Sequence, residues 1–590
     1  MRVAPAAGSV VLPALVLGIA LGACKPAPES RTPPKSGALG GAVLPAEPAG
    51  PPDPDVAATV ARVIGSAHHP QLRWPDIPDV APTLKLLYDA EPDGLFWFAG
   101  EAPYPSLAGA VAGLALADEH GLDHADYDAL PLAESWAGVR DGTQAAPAQR
   151  ALFDLALTAS VARLLSAVHV GRVDPATLRW GYDIAPKTLD RAAILHELRQ
   201  GGDIQHVLAY LEPPFAHYAR ARAALARYKA AAAAGEPAPV PELPKGQRKV
   251  EPGKPWAGEP QLAARLAALG DLRNGAGGSG TSNGEPPLYA APLVDAVKAF
   301  QARHGLEADG VIGAGTIGAL NVPIARRVRQ LELALERMRW LPKLSDRPTV
   351  FVNVALFRLW ATDPHTGQEP LRMNVVVGKS LNHKTPIFID RMEYVIFRPY
   401  WNPPYGITVN EIVPHVQRDP AYFARENLEI VASGDEGALA LPPSPENLDK
   451  VIAGTLFIRQ KPGPKNSLGL AKFIFPNDEN VYMHGTPSQQ LFSRARRDFS
   501  HGCIRLENPT GLAEFVLRDE PEWTREKIEA AMQGDHPTRV NLKEPLTVVI
   551  FYDTVHVNSE GVVSFVGDIY GHDRQLDAAL EQGYPYPTKG

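Results

Sequence analysis

The chain has 590 residues, 45% hydrophobic and 21% charged, a globular balance with room for three or more domains at about 100–200 residues each. Its 66 acidic and 58 basic residues give a net charge of −8, which argues against nucleic acid as a partner, since no basic excess exists to neutralise phosphates. Two cysteines exclude a disulfide-rich scaffold and a four-thiolate zinc site, and 58 prolines, about twice the usual share, predict long linkers.

In chain order, Met1-Arg2 is a short positive start to an apolar run from about Val10 to Ala23. That run is shorter than the roughly 20 residues a membrane span needs and fits the apolar region of an export signal. It ends Leu21-Gly22-Ala23-Cys24, which resembles the lipobox of bacterial lipoproteins. The resemblance implies cleavage before Cys24, lipidation of its thiol and a periplasmic, membrane-anchored protein; an ordinary signal with an incidental cysteine is the alternative. Lys25 in place of an aspartate implies the outer membrane by the same analogy. Residues 25–54 hold nine prolines and little apolar material, so an extended tether is expected.

From Thr83 to Lys229 the pattern is helical, with Leu152, Leu155, Ala156, Ala159 and Ala162 at three- and four-residue spacing. The block carries no evident chemistry and is expected to be an α-helical scaffold. Proline is dense again over 235–260, and Gly275 to Gly284 (GAGGSGTSNG) is of low complexity, as in a linker. Leu288 to Asn321 then contains an Asp309-Gly310 turn followed by Gly313, Thr316 and Ala319-Leu320. Thr316 is expected to cap the following helix. The stretch resembles the peptidoglycan-binding domain type 1, a small three-helix module; a helical spacer is the alternative.

After Thr349 the period becomes that of strands. Val350 to Trp360 is a long β-rich run, and a turn at Asp363-Pro364-His365-Thr366-Gly367 leads into Met373–Val377 as a hairpin. Tyr394–Phe397, Val481–Met483, Leu546–Tyr552 and Val562–Val566 are further strands, so the C-terminal block is mainly β.

That block holds the second cysteine. Tyr482-Met483-His484-Gly485-Thr486 is followed, after fourteen residues, by Ser500-His501-Gly502-Cys503-Ile504-Arg505. A thiol needs a base or a cation to become a nucleophile at neutral pH, and His484 at a strand end could supply the base. Backbone N–H groups around Gly502 and Cys503 could hold an oxyanion, and Arg505 could grip a carboxylate. A merely buried cysteine is the plain alternative, weakened by a histidine, a glycine and an arginine within two residues. A zinc site from His484, His501 and Cys503 is disfavoured because His501 and Cys503 lie too close in sequence to be joint ligands.

These motifs resemble the signature of the L,D-transpeptidases with a YkuD-type catalytic domain, over about Pro348 to Asp573 and including Gly567-Asp568-Ile569-Tyr570. Phe397-Arg398-Pro399-Tyr400-Trp401-Asn402-Pro403-Pro404 fits the large periplasmic subgroup with a scaffold and a wall-binding module. The resemblance implies a multidomain α+β chain: signal peptide 1–23, tether 24–76, α-helical scaffold 77–234, linker 235–285, peptidoglycan-binding domain 286–322, connecting helix 323–346, catalytic domain 347–575 and tail 576–590. A lid is implied within the catalytic domain over about Val413 to Lys472. Cys503 would attack the L,D bond after diaminopimelate in a tetrapeptide stem, release D-alanine, and pass the acyl group to a diaminopimelate amine of another stem. His484 would be the base, oriented by the Gly485 carbonyl. His501 and Gly502 would shape the oxyanion hole, and Tyr482, Ser500, Arg505 and Trp401 would line the site. No metal or cofactor is implied, and carbapenems are expected to acylate Cys503.

Other motif matches fail on context. Gly280-Thr281-Ser282-Asn283-Gly284 lacks the strand and helix of a nucleophile elbow, His196-Glu197 lacks a second histidine, and no serine has a lysine three residues on. L,D-carboxypeptidase, protein-to-wall ligase and a non-catalytic wall-binding lipoprotein are the competing readings. With Cys24 lipidated, Cys503 would be the sole free thiol.

Overall fold

The computed structural model describes residues 53–583 except 92–93, 143–145, 273–285, 345, 367–369, 381–382 and 436. The signal peptide, Cys24, most of the tether, the glycine-rich joint and the last residues of the tail lie outside the described residues. The fold is an α-helical N-terminal region, a small module of short helices, and a mainly β C-terminal domain.

The scaffold is built around helix Pro147–Val170, with Pro147 in its first turn and Gly171 (φ 89°) closing it. The helix is long and apolar enough to cross a membrane, but it lies inside the protein. Its polar residues are paired there. Asp154 accepts from the Tyr88 hydroxyl and from the N–H groups of Phe96 (3.0 Å) and Trp97 (2.7 Å), while Arg163 is bonded to Asp79. Residues 53–76, assigned to the tether on proline content, belong to this unit: helix Pro54–Ser66 buries Val56 and Val63 in the scaffold core.

The proline-rich stretch 235–272 is likewise not a linker. Val240, Val250, Trp256, Leu262 and Leu266 form one core with Tyr289, Val297, Phe300, Ile312 and Leu320. Lys249–Val250 pairs with Ile312–Gly313, and helix Glu259–Ala268 completes three helices with Leu293–Arg303 and Ala314–Leu320. Proline density hid a widely spaced apolar set that finds its partners forty residues on. Thr316 does not cap its helix; it lies inside it, and its hydroxyl reaches Val311 O at 3.3 Å. The Asp309-Gly310 turn is held by Gln301, which accepts from Gly310 N and donates to Asp309 and Val311.

Helix Ile324–Trp340 joins the parts. Leu331, Ala334, Leu335 and Met338 pack against helix Ala216–Ala233 and the hairpin Val555–Val557/Val563–Phe565. Arg337, fully buried, pairs with Asp573 (2.7 Å) at the start of helix His572–Leu580. That helix buries Leu576 and Leu580 in the catalytic core, so residues up to 580 are folded rather than tail.

The C-terminal β domain is centred, among the described residues, on a sheet of nine strands: β1 (Thr349–Asn353), β2 (Arg358–Thr362), β3 (Leu371–Gly378), β4 (Phe388–Phe397), β5 (Ala471–Ile474), β6 (Met483–His484), β7 (Asp498–Ser500), β8 (Ile504–Leu506) and β9 (Thr538–Phe551). Their order is β7-β3-β8-β6-β5-β4-β9-β1-β2, and a β2–β3 pairing closes the sheet on itself. The single run expected over 350–360 is broken where Phe357 takes a left-handed conformation (φ 54°), giving two antiparallel strands. The insertion between β4 and β5 spans 398–470, wider at its start than the expected lid, and Lys472 belongs to β5. It has its own core (Ile412, Val413, Val416, Phe423, Ile430, Val451, Ile458) and a sheet of Leu428–Val431, Ala440–Leu441 and Phe457–Gln460.

Candidate active site

Strand register assembles the site. β6 and β8 are parallel, pairing Met483 with Ile504 and His484 with Arg505. Met483 and Ile504 are fully buried in the core, so alternation turns Tyr482, His484, Cys503 and Arg505 to the opposite face. β5 pairs Lys472 with His484, which puts Lys472 on that face as well. His484 therefore sits between two cations, one on each neighbouring strand, beside a thiol one register step away.

His484 is buried, and its Nδ1 donates to Gly485 O at 2.5 Å, which fixes the ring and leaves Nε2 as the nitrogen able to take a proton. Burial, then Arg505 and Lys472, push its pKa down to about 3. Gly485 is held in turn by Ala471 O at 2.9 Å. The Tyr482 ring lies 5.7 Å from the His484 ring and takes Lys472 Nζ over its face at 4.0 Å.

Cys503 is half-buried, with Sγ 3.9 Å from Asn480 O. Burial raises its thiol pKa, against hydrogen bonds from the Tyr482 N–H and hydroxyl and the charges of Lys472 and Arg505, which lower it. The resting pair is thus a thiol beside a neutral imidazole. Arg505 Nε is buried without a hydrogen-bond partner among the described residues.

The turn that carries Cys503 is cinched by Ser500, whose hydroxyl donates to Cys503 O at 2.6 Å and accepts from Gly502 N at 3.2 Å. Gly502 has φ 119°, a conformation that side chains resist. The Gly502 N–H is held by the Ser500 hydroxyl, whereas no hydrogen bond from the Cys503 N–H stands among the described residues. Beneath the turn, Thr385 donates to Gly502 O (2.7 Å) and accepts from Gly378 N (2.9 Å). The Tyr570 hydroxyl donates to Gly378 O (2.5 Å) and accepts from Thr385 N (3.1 Å). The passage is tight: a Cβ on Gly378 would stand 1.9 Å from His383 O.

His501 faces the insertion. Its Nε2 bonds Glu411 Oε1 at 2.7 Å, and its ring meets His383 edge-on at 4.8 Å. Glu411 lies in a π-helical turn, Thr408–Ile412, of a kind common at functional sites, just before Pro414. His501, Arg505 and Trp401 line a cavity of about 270 Å³ together with Glu411, Glu426 and Tyr422 of the insertion. Trp401 is tied to Gln460 by paired backbone hydrogen bonds of 3.1 and 2.8 Å. The fold therefore brings together Tyr482, His484, Gly485, Ser500, His501, Gly502, Cys503, Arg505 and Trp401. Lys472, Glu411 and Thr385 were not legible in the sequence as site residues, since cross-strand register and the seating of the insertion place them. Tyr570 stood only in a closing segment.

Comparison with known proteins assigns the parts. A family model described as an L,D-transpeptidase catalytic domain matches residues 347–542, and one described as a scaffold domain matches 82–225. One described as "Putative peptidoglycan binding domain" matches 261–320, taking in most of the helix Glu259–Ala268. A protein of Haemophilus influenzae named "Putative L,D-transpeptidase" is 28% identical over 253 residues, 42% of this chain and 49% of that protein. The chain thus spans about half the length of the curated relative it matches. The β domain that holds His484 and Cys503 thus matches the L,D-transpeptidase catalytic-domain model, in a chain that also matches the scaffold and peptidoglycan-binding models.

Proposed function

We propose that the protein is a cysteine L,D-transpeptidase of peptidoglycan. The observation that carries this is the carbonyl-anchored His484 on the same face of adjacent strands as Cys503, with Lys472 and Arg505 around them. Cys503 attacks the carbonyl carbon of the L,D bond after diaminopimelate while its proton passes to His484 Nε2. The Cys503 N–H stabilises the oxyanion, and Arg505 binds a substrate carboxylate. Collapse of the tetrahedral adduct breaks the C–N bond; D-alanine leaves with the proton from His484, and a thioester remains. The diaminopimelate amine of a second stem resolves the thioester and forms the cross-link. The insertion over the site favours an amine over water as acceptor, which sets this reading ahead of an L,D-carboxypeptidase. Attachment of a protein to the wall is the same chemistry with another amine.

Around this core, the peptidoglycan-binding module brings the enzyme to the wall. A lipid on Cys24 anchors the chain in the outer membrane, with the catalytic domain in the periplasm. Carbapenems, whose acyl carbon meets the same thiol, acylate Cys503. The test is Cys503→Ala with purified muropeptides. The variant should lose both D-alanine release and cross-linked dimers and gain no mass from a carbapenem; retained turnover would overturn the proposal and favour a non-catalytic wall-binding role.

A further inference from the structure

The charges around the cavity are segregated by element. On the sheet side Arg505 lines it, and Lys472 stands behind the lining on the same face of the sheet. Its carboxylates, Glu411 and Glu426, both come from the insertion. A cationic floor suits the carboxylate of an acyl donor but repels a protonated amine, and an amine acceptor is mostly ammonium at neutral pH. The bases near the thiol do not relieve this, because His484 is enclosed between the same two cations. Glu411 is half-exposed, so it can be reached from solvent, and its carboxylate is already 2.7 Å from the ring of His501, two residues before the nucleophile.

We propose that Glu411, assisted by Glu426, is the acceptor-amine subsite: the insertion reads the ammonium of the incoming nucleophile and holds it over the thioester. This rests on the transpeptidase reading above. Glu411 exchanges its hydrogen bond with His501 for one with the ammonium and takes one of its protons. The freed amine attacks the thioester carbonyl, the C–N bond forms and the C–S bond breaks. The proton left on nitrogen passes through His484 Nε2 to Sγ, and Glu411 returns its proton to solvent. In this scheme His484 relays a proton but never has to hold one against the charges of Lys472 and Arg505.

The test compares two nucleophiles on the acyl-enzyme of the full chain: a diaminopimelate-containing stem, whose amine is charged at neutral pH, and hydroxylamine, which is largely uncharged. For Glu411→Gln the rate of thioester consumption by the stem should fall about tenfold relative to that by hydroxylamine, the scale of one charge-assisted hydrogen bond. Glu411→Asp should recover part of the loss, and Glu426→Gln should show a smaller one. Equal slowing with both nucleophiles, as expected if Glu411 only steadies His501, would overturn the inference and leave the transpeptidase reading standing. If native protein forms no thioester with any stem donor, the transpeptidase reading fails and this inference with it.

Discussion

Two cations and one carbonyl decide the resting chemistry of His484 and Cys503. The Gly485 carbonyl fixes which ring nitrogen carries the proton, while burial, Arg505 and Lys472 keep the ring neutral down to about pH 3. The thiol, raised by burial, has no imidazolium to stabilise its thiolate. Alkylation of Cys503 by iodoacetamide should therefore keep rising with pH past about 8.5, the ordinary thiol value. A plateau in the rate below pH 7 would instead reveal a preformed thiolate–imidazolium pair. At this scale the sequence was most informative where the site is contiguous: His484-Gly485 holds the ring and the carbonyl that fixes it, and Ser500–Cys503 the thiol and its turn, within a few residues. Lys472 was invisible for a definite reason. Its role depends on β5 pairing with β6 in one register, and the intervening loop between 474 and 483 says nothing of which lysine lands opposite His484.

Among elements, the turn that holds Cys503 is supported from outside its own strand. Thr385 spans Gly378 N and Gly502 O, and Tyr570 holds both Gly378 and Thr385. Thr385→Val keeps the shape but leaves a buried N–H and C=O unpaired, at a cost of about 1–3 kcal/mol. The turn would lose the bond that fixes the Gly502 carbonyl, and with it the direction of the Cys503 N–H. Turnover should fall roughly 10- to 100-fold with little change in KM for the donor, because Arg505, the carboxylate site proposed above, is untouched. Tyr570→Phe should show the same split to a smaller degree, measured by D-alanine release. A rise in KM with unchanged turnover would show that the clamp acts on binding instead. The two segments expected as tether and linker that prove folded, 53–76 and 235–272, share one cause. Proline density suggests a lack of structure, yet Trp256, next to Pro255, and Leu262 and Leu266, just after Pro260, are buried by residues too distant in sequence for periodicity to connect.

Over the whole molecule, several buried histidines are held neutral. His484 and His217 are held to about 3, and His69, His556 and His572 to about 4, each chiefly by burial. Below the ordinary value of about 6.5 the unfolded chain takes up protons that the folded chain refuses, so stability is present above that pH and lost as pH falls toward 4. Asp154 and Asp553, raised by burial to about 6 and about 7, act in the opposite sense, since the folded chain keeps their protons longer. Among the described residues eight histidines are lowered and five carboxyls raised, so the balance is a net loss, and the melting temperature should drop by roughly 10 °C between pH 7 and pH 5. A flat profile by scanning calorimetry over that interval would contradict this balance.

The matched catalytic domain ends at residue 542, inside β9, which continues to Phe551. A fragment cut there would keep the Thr538–Asn541 pairing with β4 but lose Leu546–Phe551, the half that pairs with β4 on one side and β1 on the other. Two adhesive edges would be laid bare in a sheet that otherwise closes on itself, and such edges recruit strands from other molecules. The same cut would remove Tyr570 from beneath the Cys503 turn and Asp573 from its pairing with Arg337. The inheritable signature of the catalytic unit is thus shorter than the unit that can stand alone, and a soluble excised enzyme would have to run at least through helix His572–Leu580, carrying helix Ile324–Trp340 at its other end.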